Sequence, residues 1–306
     1  MSKELIIVSA GGIGDAIVAT PTYKALRQTY PHHRIIVYCV NEKHYNVFLN
    51  NPHIDSLRML KVKHMWKYPR HLYAYLFNRK SIQYRLMAFQ HIPLTFIYDK
   101  NVKEIIPEIF DLPVKDPKAE LYFTHKEEET AKKLLEPFPC PILMHIHSRA
   151  SQNHHWELER WETLVKELPE CTFIQIGHVD EPYVKGAVDF RGKTGLREAL
   201  CMLKFACSFV GVDSNFSHVT NAFDVPGVVL FGDSSPVFWG HSNNINIYKA
   251  LPCSPCYYDL WSDPCPYGHE CMDAIAVEDV KQALYTQIGK SYKNKNNIQY
   301  FKHENV

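Results

Sequence analysis

A carboxylate follows a glycine-rich turn near the start of the chain. Gly11, Gly12 and Gly14 lie where a β-branched run gives way to a helical pattern, and Asp15 stands directly after them. Such an Asp is often a plain helix cap, but three glycines also clear the space that a general base needs to reach a substrate hydroxyl. With Glu42 these glycines partly match a dinucleotide-binding pattern, although a pyrophosphate there would meet the carboxylate. The loop therefore favours a base over an NAD site.

A second strand-to-helix turn lies about two hundred residues later. Asp213, Ser214 and Asn215 follow the apolar run that ends at Val212, and His218 comes one turn further on. The first N–H groups of a helix bind phosphate well, and a histidine can add a hydrogen bond. A structural corner with a buried histidine is the alternative. The pattern thus predicts either a diphosphate site or such a corner.

Four cysteines form a cluster with the spacing Cys253-x2-Cys256-x8-Cys265-x5-Cys271. A pair two residues apart followed by two more thiols suits tetrahedral zinc, or iron in the same geometry. Four protein ligands leave no open position, so such a metal would be structural. His269 could replace one sulfur, and disulfides or unligated thiols are the alternatives. The remaining cysteines lie in apolar runs and are predicted to be small core residues: 39, 140, 171, 201 and 207.

A basic, aromatic stretch runs from Lys61 to Tyr98. It contains seven Lys or Arg residues, no Asp or Glu, and many interleaved aromatic residues. A solvated helical face is the ordinary explanation. The charge asymmetry also favours an anionic acceptor, with Lys61, Lys63 and Arg70 as candidate contacts. Nucleic acid or an anionic membrane surface would suit this stretch.

Alternating strand and helix patterns must position these groups. Residues 5–8 and 34–40 read as strands around a helix at 15–30, which is a βαβ unit with parallel strands. After a proline cluster at 137–141 the alternation of predicted strands and helices begins again. Strands are predicted at 142–146, 172–177, 208–212 and 225–231, and helices at 161–168 and 196–206.

The 306-residue length is that of two domains. We expect an α/β protein with an N-terminal Rossmann-like domain at 1–136, a C-terminal one at 137–288 that includes the cysteine loop at 253–271, and a polar tail at 289–306. Two doubly wound sheets facing a cleft would bind ligands beyond the carboxyl ends of their strands.

Bulk properties exclude some classes of protein. The net charge of +1 predicts no polyanion partner for the molecule as a whole. No apolar run reaches the ~18 residues that span a bilayer, and the first residues do not read as a signal peptide. These features favour the cytoplasm, where cysteines are more often thiols or metal ligands than disulfides.

Taken together, the motifs resemble glycosyltransferase family 9, the ADP-heptose:lipopolysaccharide heptosyltransferases. The resemblance is carried by Gly11 to Asp15 with Thr20-Pro21-Thr22 and Leu26-Arg27, by Arg191 to Leu196, by Val212-Asp213-Ser214 with His218, by Pro226 to Gly232, and by Cys253-x2-Cys256 through Met272 and Val277. Each motif is loose, but their order and spacing are specific. The resemblance is weak from about Lys61 to Lys133.

The resemblance implies a GT-B fold, with the acceptor bound mainly by the first domain and a nucleotide sugar by the second. It implies inversion at the anomeric carbon without a catalytic metal, Asp15 as the base with Gly12 and Gly14 beside the acceptor, and phosphorylated lipopolysaccharide core as an acceptor. Some members with such a cysteine cluster bind metal there. The candidate donor-binding residues are His147, Ser148, His154, Gly177, Glu181, Lys193, Asp213, Ser214, Asn215 and His218. Glu181 and its neighbour Asp180 follow the strand predicted at 172–177, where a carboxylate could bind ribose hydroxyls. A solvated loop acid is the alternative there.

Two positions depart from the family pattern. Members usually carry a phosphate-contacting lysine two residues before a tryptophan, and here His154 precedes His155-Trp156. A constant charge is thereby replaced by a titrating one, for which Arg149, Lys185 or Lys193 could compensate. A small glycine of the donor motif is Asn215. The departures leave two alternatives open: a non-catalytic nucleotide-sugar or nucleic-acid binding protein on a degenerate scaffold, and a transferase acting on nucleic acid.

Overall fold

The chain folds into two compact units, residues Met1–Thr124 and His125–Val306. The computed structural model describes residues 4–9, 11–59, 82–87, 100–108, 110–112, 114–115, 117–256 and 265–295. The sequence placed the boundary after residue 136, whereas the units divide before the helix His125–Leu135. That helix belongs with the second unit because its first-turn acid Glu127 pairs with Arg197, with Nε and Oε1 2.5 Å apart.

A parallel sheet in the order β3-β2-β1-β4 forms the centre of the first unit. Its strands are β1 Glu4–Ser9, β2 Arg34–Cys39, β3 Ser56–Met59 and β4 Ile82–Met87. The helices that the structure describes in this unit are α1 Ile13–Thr29, α2 Glu42–Phe48 and α3 Val102–Glu108. The predicted βαβ unit is confirmed, and it positions the glycine turn at the carboxyl end of the central β1.

Apolar packing holds α1 and α2 against this sheet. Tyr23 and Phe48 are fully buried and meet edge to face, with ring centroids 5.0 Å apart. Such aromatic pairs contribute about 0.5–1.5 kcal/mol beyond the area that they bury. Because α2 packs against α1, a residue on α2 can reach the glycine turn.

The second unit is built on a six-stranded parallel sheet in the order β10-β9-β8-β5-β6-β7. Its strands are β5 Ile142–His145, β6 Phe173–Gln175, β7 Val188–Asp189, β8 Ser208–Val212, β9 Gly227–Phe231 and β10 Asn244–Tyr248. The described helices are α4 His125–Leu135, α5 Leu158–Glu167, α6 Leu196–Leu203, α7 Asn215–Phe223, α8 Pro236–Trp239, α9 Glu270–Asp273 and α10 Val277–Lys295, with a 3₁₀ turn at Gln152–His154. All four strands predicted in this half are confirmed.

A long C-terminal helix closes the core of this unit. Leu284 on α10 is fully buried in the cluster that includes Trp156 and Trp161. The buried Gln287 donates from Nε2 to the Gly227 carbonyl at 2.6 Å. The polar segment predicted as a tail from residue 289 thus begins inside α10, which continues to Lys295.

One expectation about the cysteines is wrong. Cys140 and Cys207, predicted to be core thiols, are joined by a disulfide with their Cα atoms 5.1 Å apart. They meet because the Cys207 N–H donates to the Pro141 carbonyl where β5 and β8 begin side by side. Cys39 and Cys201 are buried thiols, as predicted. Within the described residues, no helix combines the length and apolarity needed to cross a membrane.

Candidate functional site

The order of the strands creates a switch point in the second unit. From β5 the chain moves to β6 and β7 on one side and then returns to β8, β9 and β10 on the other. Loops that leave β5 and β8 at their carboxyl ends therefore run in opposite directions, which opens a crevice where ligands bind in sheets of this kind. Most of the predicted donor-binding residues lie at this edge.

The start of α7 lies directly at the switch point. Asp213 follows β8, Ser214 is the extended residue before the helix, and Asn215 is its first residue. The first N–H groups of a helix lack intrahelical acceptors and carry the positive end of its dipole. This end of α7 can therefore bind an anion such as a diphosphate.

His145, the last residue of β5, links two of the predicted donor-binding residues. Its Nδ1 lies 2.9 Å from the Ser214 hydroxyl, and its Nε2 lies 3.5 Å from Glu181 Oε2. Burial alone would raise the pKa of Glu181, but the nearby His145 and His178 N–H groups hold it below its ordinary value. Glu181 is therefore ionised at neutral pH. His145 was not among the predicted site residues, although its place at the end of a predicted strand was a usable signal.

The glycine four residues before Glu181 leaves room for its carboxylate. Gly177 has a φ of +139°, and a Cβ there would overlap the Glu181 carboxylate. Arg191 also donates from Nη1 to the Glu181 carbonyl. A glycine is thus required for the carboxylate to fold back toward β6.

His154 faces the protein interior. Its Nδ1 donates to the Asp213 carbonyl at 3.0 Å, and its Nε2 lies 2.8 Å from Asp233 Oδ1. Burial disfavours the charged ring, but Asp233 and Asp213 outweigh this and raise the pKa of His154. The phosphate contact predicted for His154 stays a prediction, and both ring nitrogens already face protein oxygen atoms.

Two serines complete this buried cluster. Ser151 donates to Asp233 Oδ2, and Ser234 donates to Asp213 Oδ2, both at 2.7 Å. Burial raises the pKa of Asp213 to about 6, although His154 and Ser234 act in the opposite direction. Asp233 and Ser234 were not predicted as site residues. They follow β9, and β8 lies between β9 and β5 in the sheet.

The other predicted donor-binding residues lie nearby with different surroundings. His147 stacks on His155, with ring centroids 4.2 Å apart, and burial lowers the pKa of His147. Ser148 is buried, and its hydroxyl accepts from the Ala150 N–H at 3.3 Å. His218 is buried on α7 with its Nδ1 2.9 Å from His241 Nε2. Lys193 is exposed in the loop that follows β7.

In the first unit Asp15 lies in the first turn of α1, directly after the glycine turn. Gly12 caps α1, Gly14 lies in its first turn, and Asp15 Oδ2 accepts from the Gly12 N–H at 2.6 Å. Burial raises the pKa of Asp15 to about 6, while the Gly12 hydrogen bond acts in the opposite direction. A carboxylate with such a pKa is a competent base near neutral pH. The candidate acceptor contacts Lys61, Lys63 and Arg70 lie outside the described residues.

The four clustered cysteines are not arranged as a ligand set. Cys271 is buried in the apolar core of the second unit, while Cys253, Cys256 and Cys265 are partly exposed. Within the residues that the structure describes, no group of three or more His, Cys, Asp or Glu side chains could hold a metal ion. The predicted tetrahedral arrangement of four thiolates is therefore absent from this part of the chain. Burial raises the pKa of Cys271 to about 11, and Asp233, Cys265 and Cys253 act in the same direction.

Comparisons with known proteins indicate the family of this chain. The family model described as glycosyltransferase family 9 (heptosyltransferase) matches residues 61–260. Lipopolysaccharide heptosyltransferase 1 of Pseudomonas aeruginosa is 26% identical over 133 residues, which span 38% of this chain and 36% of that protein.

Several solved structures share the fold. A glycosyltransferase family 9 protein of Veillonella parvula superposes with a TM-score of 0.74 at 18% identity, covering 95% of this chain and 98% of that one. The ADP-heptose lipopolysaccharide heptosyltransferase II of E. coli superposes with a TM-score of 0.72 at 14% identity, covering 94% of this chain and 99% of that one. The iron-containing dodecameric glycosyltransferase TibC of enterotoxigenic E. coli has a TM-score of 0.66 at 16% identity, covering 95% of this chain and 77% of that one. The predicted GT-B class, with two Rossmann-like units, is confirmed.

Proposed function

The chain belongs to glycosyltransferase family 9, and from that premise we propose that it transfers a sugar from a nucleotide-diphosphate donor to an acceptor hydroxyl. The observation that carries the proposal is the helix start at Asp213 to Asn215, which lies at the switch point of the second sheet beside His145 and Glu181. An anion-binding helix end next to an ionised carboxylate suits the two polar parts of such a donor. The diphosphate would bind the N–H groups of α7, and ribose hydroxyls would donate to Glu181.

In the proposed reaction Asp15 is the general base. Its carboxylate takes the proton of the acceptor hydroxyl while the hydroxyl oxygen forms a bond to C1 of the sugar. The bond between C1 and the diphosphate oxygen breaks, and the nucleoside diphosphate leaves with the electron pair. Attack from the face opposite the leaving group inverts the anomeric carbon. The N–H groups at the start of α7 stabilise the charge that develops on the leaving diphosphate, so the scheme needs no catalytic metal.

The donor and acceptor are proposed from the relatives. Two of them are named as heptosyltransferases of lipopolysaccharide, and one of these is named for ADP-heptose. We propose ADP-heptose as the donor and a phosphorylated lipopolysaccharide core as the acceptor. Nucleic acid, considered from the basic aromatic stretch, gains no support from the residues that the structure describes.

A donor screen and one substitution test this function. In a thermal-shift screen of ADP-, GDP-, UDP- and TDP-sugars, we expect ADP-heptose to raise the Tm, because a ligand stabilises the fold that binds it. Asp15→Asn should bind this donor as the parent does but lose transfer by about 10²–10⁴-fold, the usual contribution of a general base. Glu42→Gln is the matched control, because Glu42 is an exposed acid in the first turn of neighbouring α2. Full turnover by Asp15→Asn would refute the base, and silence with every donor would favour a binding protein.

A structural zinc or iron on Cys253, Cys256, Cys265 and Cys271 is a further proposal. It is supported by their spacing, by the electrostatic interaction of Cys271 with two of the others, and by the iron in the name of TibC. The described geometry does not form this site, so binding would require the loop to draw the thiols together. Metal analysis of the purified chain tests it, with the Cys253→Ser/Cys256→Ser double variant against Cys171→Ser as control. Equal metal content in all three proteins would contradict the proposal.

A further inference from the structure

A buried histidine of the first unit spans the turn that presents Asp15. His44 lies on α2 and is fully buried. Its Nδ1 lies 3.0 Å from the Ser9 hydroxyl at the end of β1, and its Nε2 lies 2.8 Å from the Gly11 carbonyl. One ring thus contacts the chain on both sides of the bend between β1 and α1.

The two contacts determine which nitrogen carries the proton. A carbonyl oxygen can only accept, so Nε2 must donate to Gly11. Burial lowers the pKa of His44, although the backbone groups around Gly11 act in the opposite direction. A neutral ring that donates from Nε2 must accept at Nδ1, so the Ser9 hydroxyl donates to it. His44 is therefore a neutral imidazole with a defined tautomer.

The carbonyl that His44 contacts belongs to the same peptide group that holds Asp15. The Gly11 carbonyl and the Gly12 N–H lie on opposite sides of one planar peptide unit. His44 donates to its oxygen at 2.8 Å, and its N–H donates to Asp15 Oδ2 at 2.6 Å. Hydrogen bonds in such a chain polarise one another, so the contact on the oxygen strengthens the N–H as a donor.

This peptide needs an external anchor. Gly11 has a φ of +117°, in the region where glycine is free to rotate and a Cβ would overlap the Asp15 carboxylate. Glycines on both sides of the peptide leave its plane weakly determined by local sterics. The hydrogen bond from His44 supplies the restraint that the glycines do not.

We propose that His44 is a positioning residue for the proposed base: through the Gly11–Gly12 peptide it fixes the orientation of the Asp15 carboxylate. This inference rests on the proposed role of Asp15 and names a residue outside the motifs that carry the family resemblance. His44 acts through the backbone and touches neither donor nor acceptor in this scheme.

The side chains that surround His44 are uncharged at neutral pH. Burial raises the pKa of Cys39 to about 12 and places that of Tyr23 well above its ordinary value, so both stay neutral. Phe48 packs against the ring edge to face, with centroids 6.4 Å apart. Asp15 itself is influenced by burial and by the Gly12 N–H among the described groups.

The test measures the carboxylate itself in the full-length protein. With ¹³C-labelled aspartate, the Asp15 signal is assigned by its loss in Asp15→Asn and is then titrated. His44→Leu removes both contacts at similar volume, and we expect the pKa of Asp15 to rise by about one unit, because the hydrogen bond favours the ionised form. His44→Gln, whose amide can still donate to Gly11, should restore at least half of this shift.

His53→Gln is the matched control. His53 lies in the same unit but contacts Glu120, with Nε2 3.4 Å from Oε2, so the Asp15 titration should not change. Should His44→Leu fail to fold, Ser9→Ala removes the hydroxyl that orients the ring and should shift the titration in the same direction. An Asp15 pKa equal to that of the parent in the folded His44 and Ser9 variants would overturn the proposal.

Kinetics separate this proposal from the function on which it rests. In His44→Leu the pKa of the acid limb in the pH profile of kcat/KM should rise together with the pKa of Asp15. The KM for the donor should stay within about twofold of the parent value. A uniform loss of kcat with an unmoved limb would indicate a merely structural role and would overturn the proposal. If Asp15→Asn stays active while the His44 variants still shift the Asp15 titration, the base has failed but the positioning effect stands.

Discussion

The buried pair of His154 and Asp233 provides a measurable test of how the donor-side turn is held. His154 is 4% exposed and Asp233 1% exposed, with Nε2 and Oδ1 2.8 Å apart. Because Nδ1 already donates to the Asp213 carbonyl, a proton on Nε2 makes the ring an imidazolium that faces a carboxylate. Removing His154 leaves Asp233 buried without its counterion, and removing Asp233 leaves His154 only the weaker interaction with Asp213.

The expected magnitudes follow from this burial. Breaking a buried pair by removing one partner costs about 3–5 kcal/mol, so we expect His154→Leu and Asp233→Ala each to lower the free energy of unfolding within this range. In the double variant neither charge of the pair remains, although the Ser151 hydroxyl loses its acceptor and the Asp213 carbonyl loses the donor on His154. The double variant should therefore be less damaging than the sum of the two, with a coupling of about 2–3 kcal/mol.

Urea unfolding at pH 7 and 25 °C measures this cycle. Tryptophan fluorescence is a suitable probe because Trp156 and Trp161 lie together in the core of the second unit. The control is the cycle for Lys249 and Asp279, whose Nζ and Oδ2 atoms are 2.9 Å apart but whose side chains are both more than a third exposed. Solvent screens that pair, so its coupling should stay below about 1 kcal/mol.

Two results would refute the reasoning about this pair. Additive effects in the His154 and Asp233 cycle would mean that the two side chains do not interact in the folded protein. Single variants that each cost less than about 1 kcal/mol would mean that the site relaxes or admits water once a partner is lost.

Three further predictions follow from single residues. The pKa of Asp15 is about 6 in the folded protein against an ordinary 3.8, so ionisation of Asp15 destabilises the fold as pH rises through this window. In urea titrations, Asp15→Asn should therefore gain stability relative to the parent between pH 4 and 7. A difference in the free energy of unfolding that does not change with pH would contradict this. Gly177→Ala should raise the donor KM at least fivefold, because a Cβ displaces the Glu181 carboxylate; an unchanged KM would remove Glu181 from the donor site. Gln287→Ala should cost about 2 kcal/mol in chemical unfolding, because it removes a donor from the buried Gly227 carbonyl and from the partly buried Asn243 carbonyl. A loss below about 0.5 kcal/mol would mean that water replaces the amide.

The sequence predicts the framework of the site well. Strand β8 at 208–212 is found with the predicted bounds, since its apolar run is flanked by turn residues and is buried throughout. The helix predicted from Asp15 to Tyr30 begins two residues earlier, at Ile13, because Gly12 is its cap. Short-range patterns of this kind are set by neighbours along the chain, which a single sequence displays.

The partners of the site residues were harder to predict. His44 reaches Gly11 from 33 positions along the chain, and Asp233 meets His154 across 79 positions, counted as 233 minus 154. Nothing in the local pattern around either residue reveals these contacts, which depend on the order of the strands. The inward orientation of His154 was missed for the same reason, because its acceptors follow β8 and β9.

The position of α10 has a consequence for the order in which the chain acquires its structure during synthesis. The described residues of the first unit end before residue 125, so its sheet can close while the remainder is still being translated. The core of the second unit cannot be completed before the end of α10 is synthesised, because Leu284 and Gln287 follow all the strands of that sheet in the chain. We therefore expect the donor-side unit to finish folding late, with its apolar face exposed until the last turns of α10 leave the ribosome.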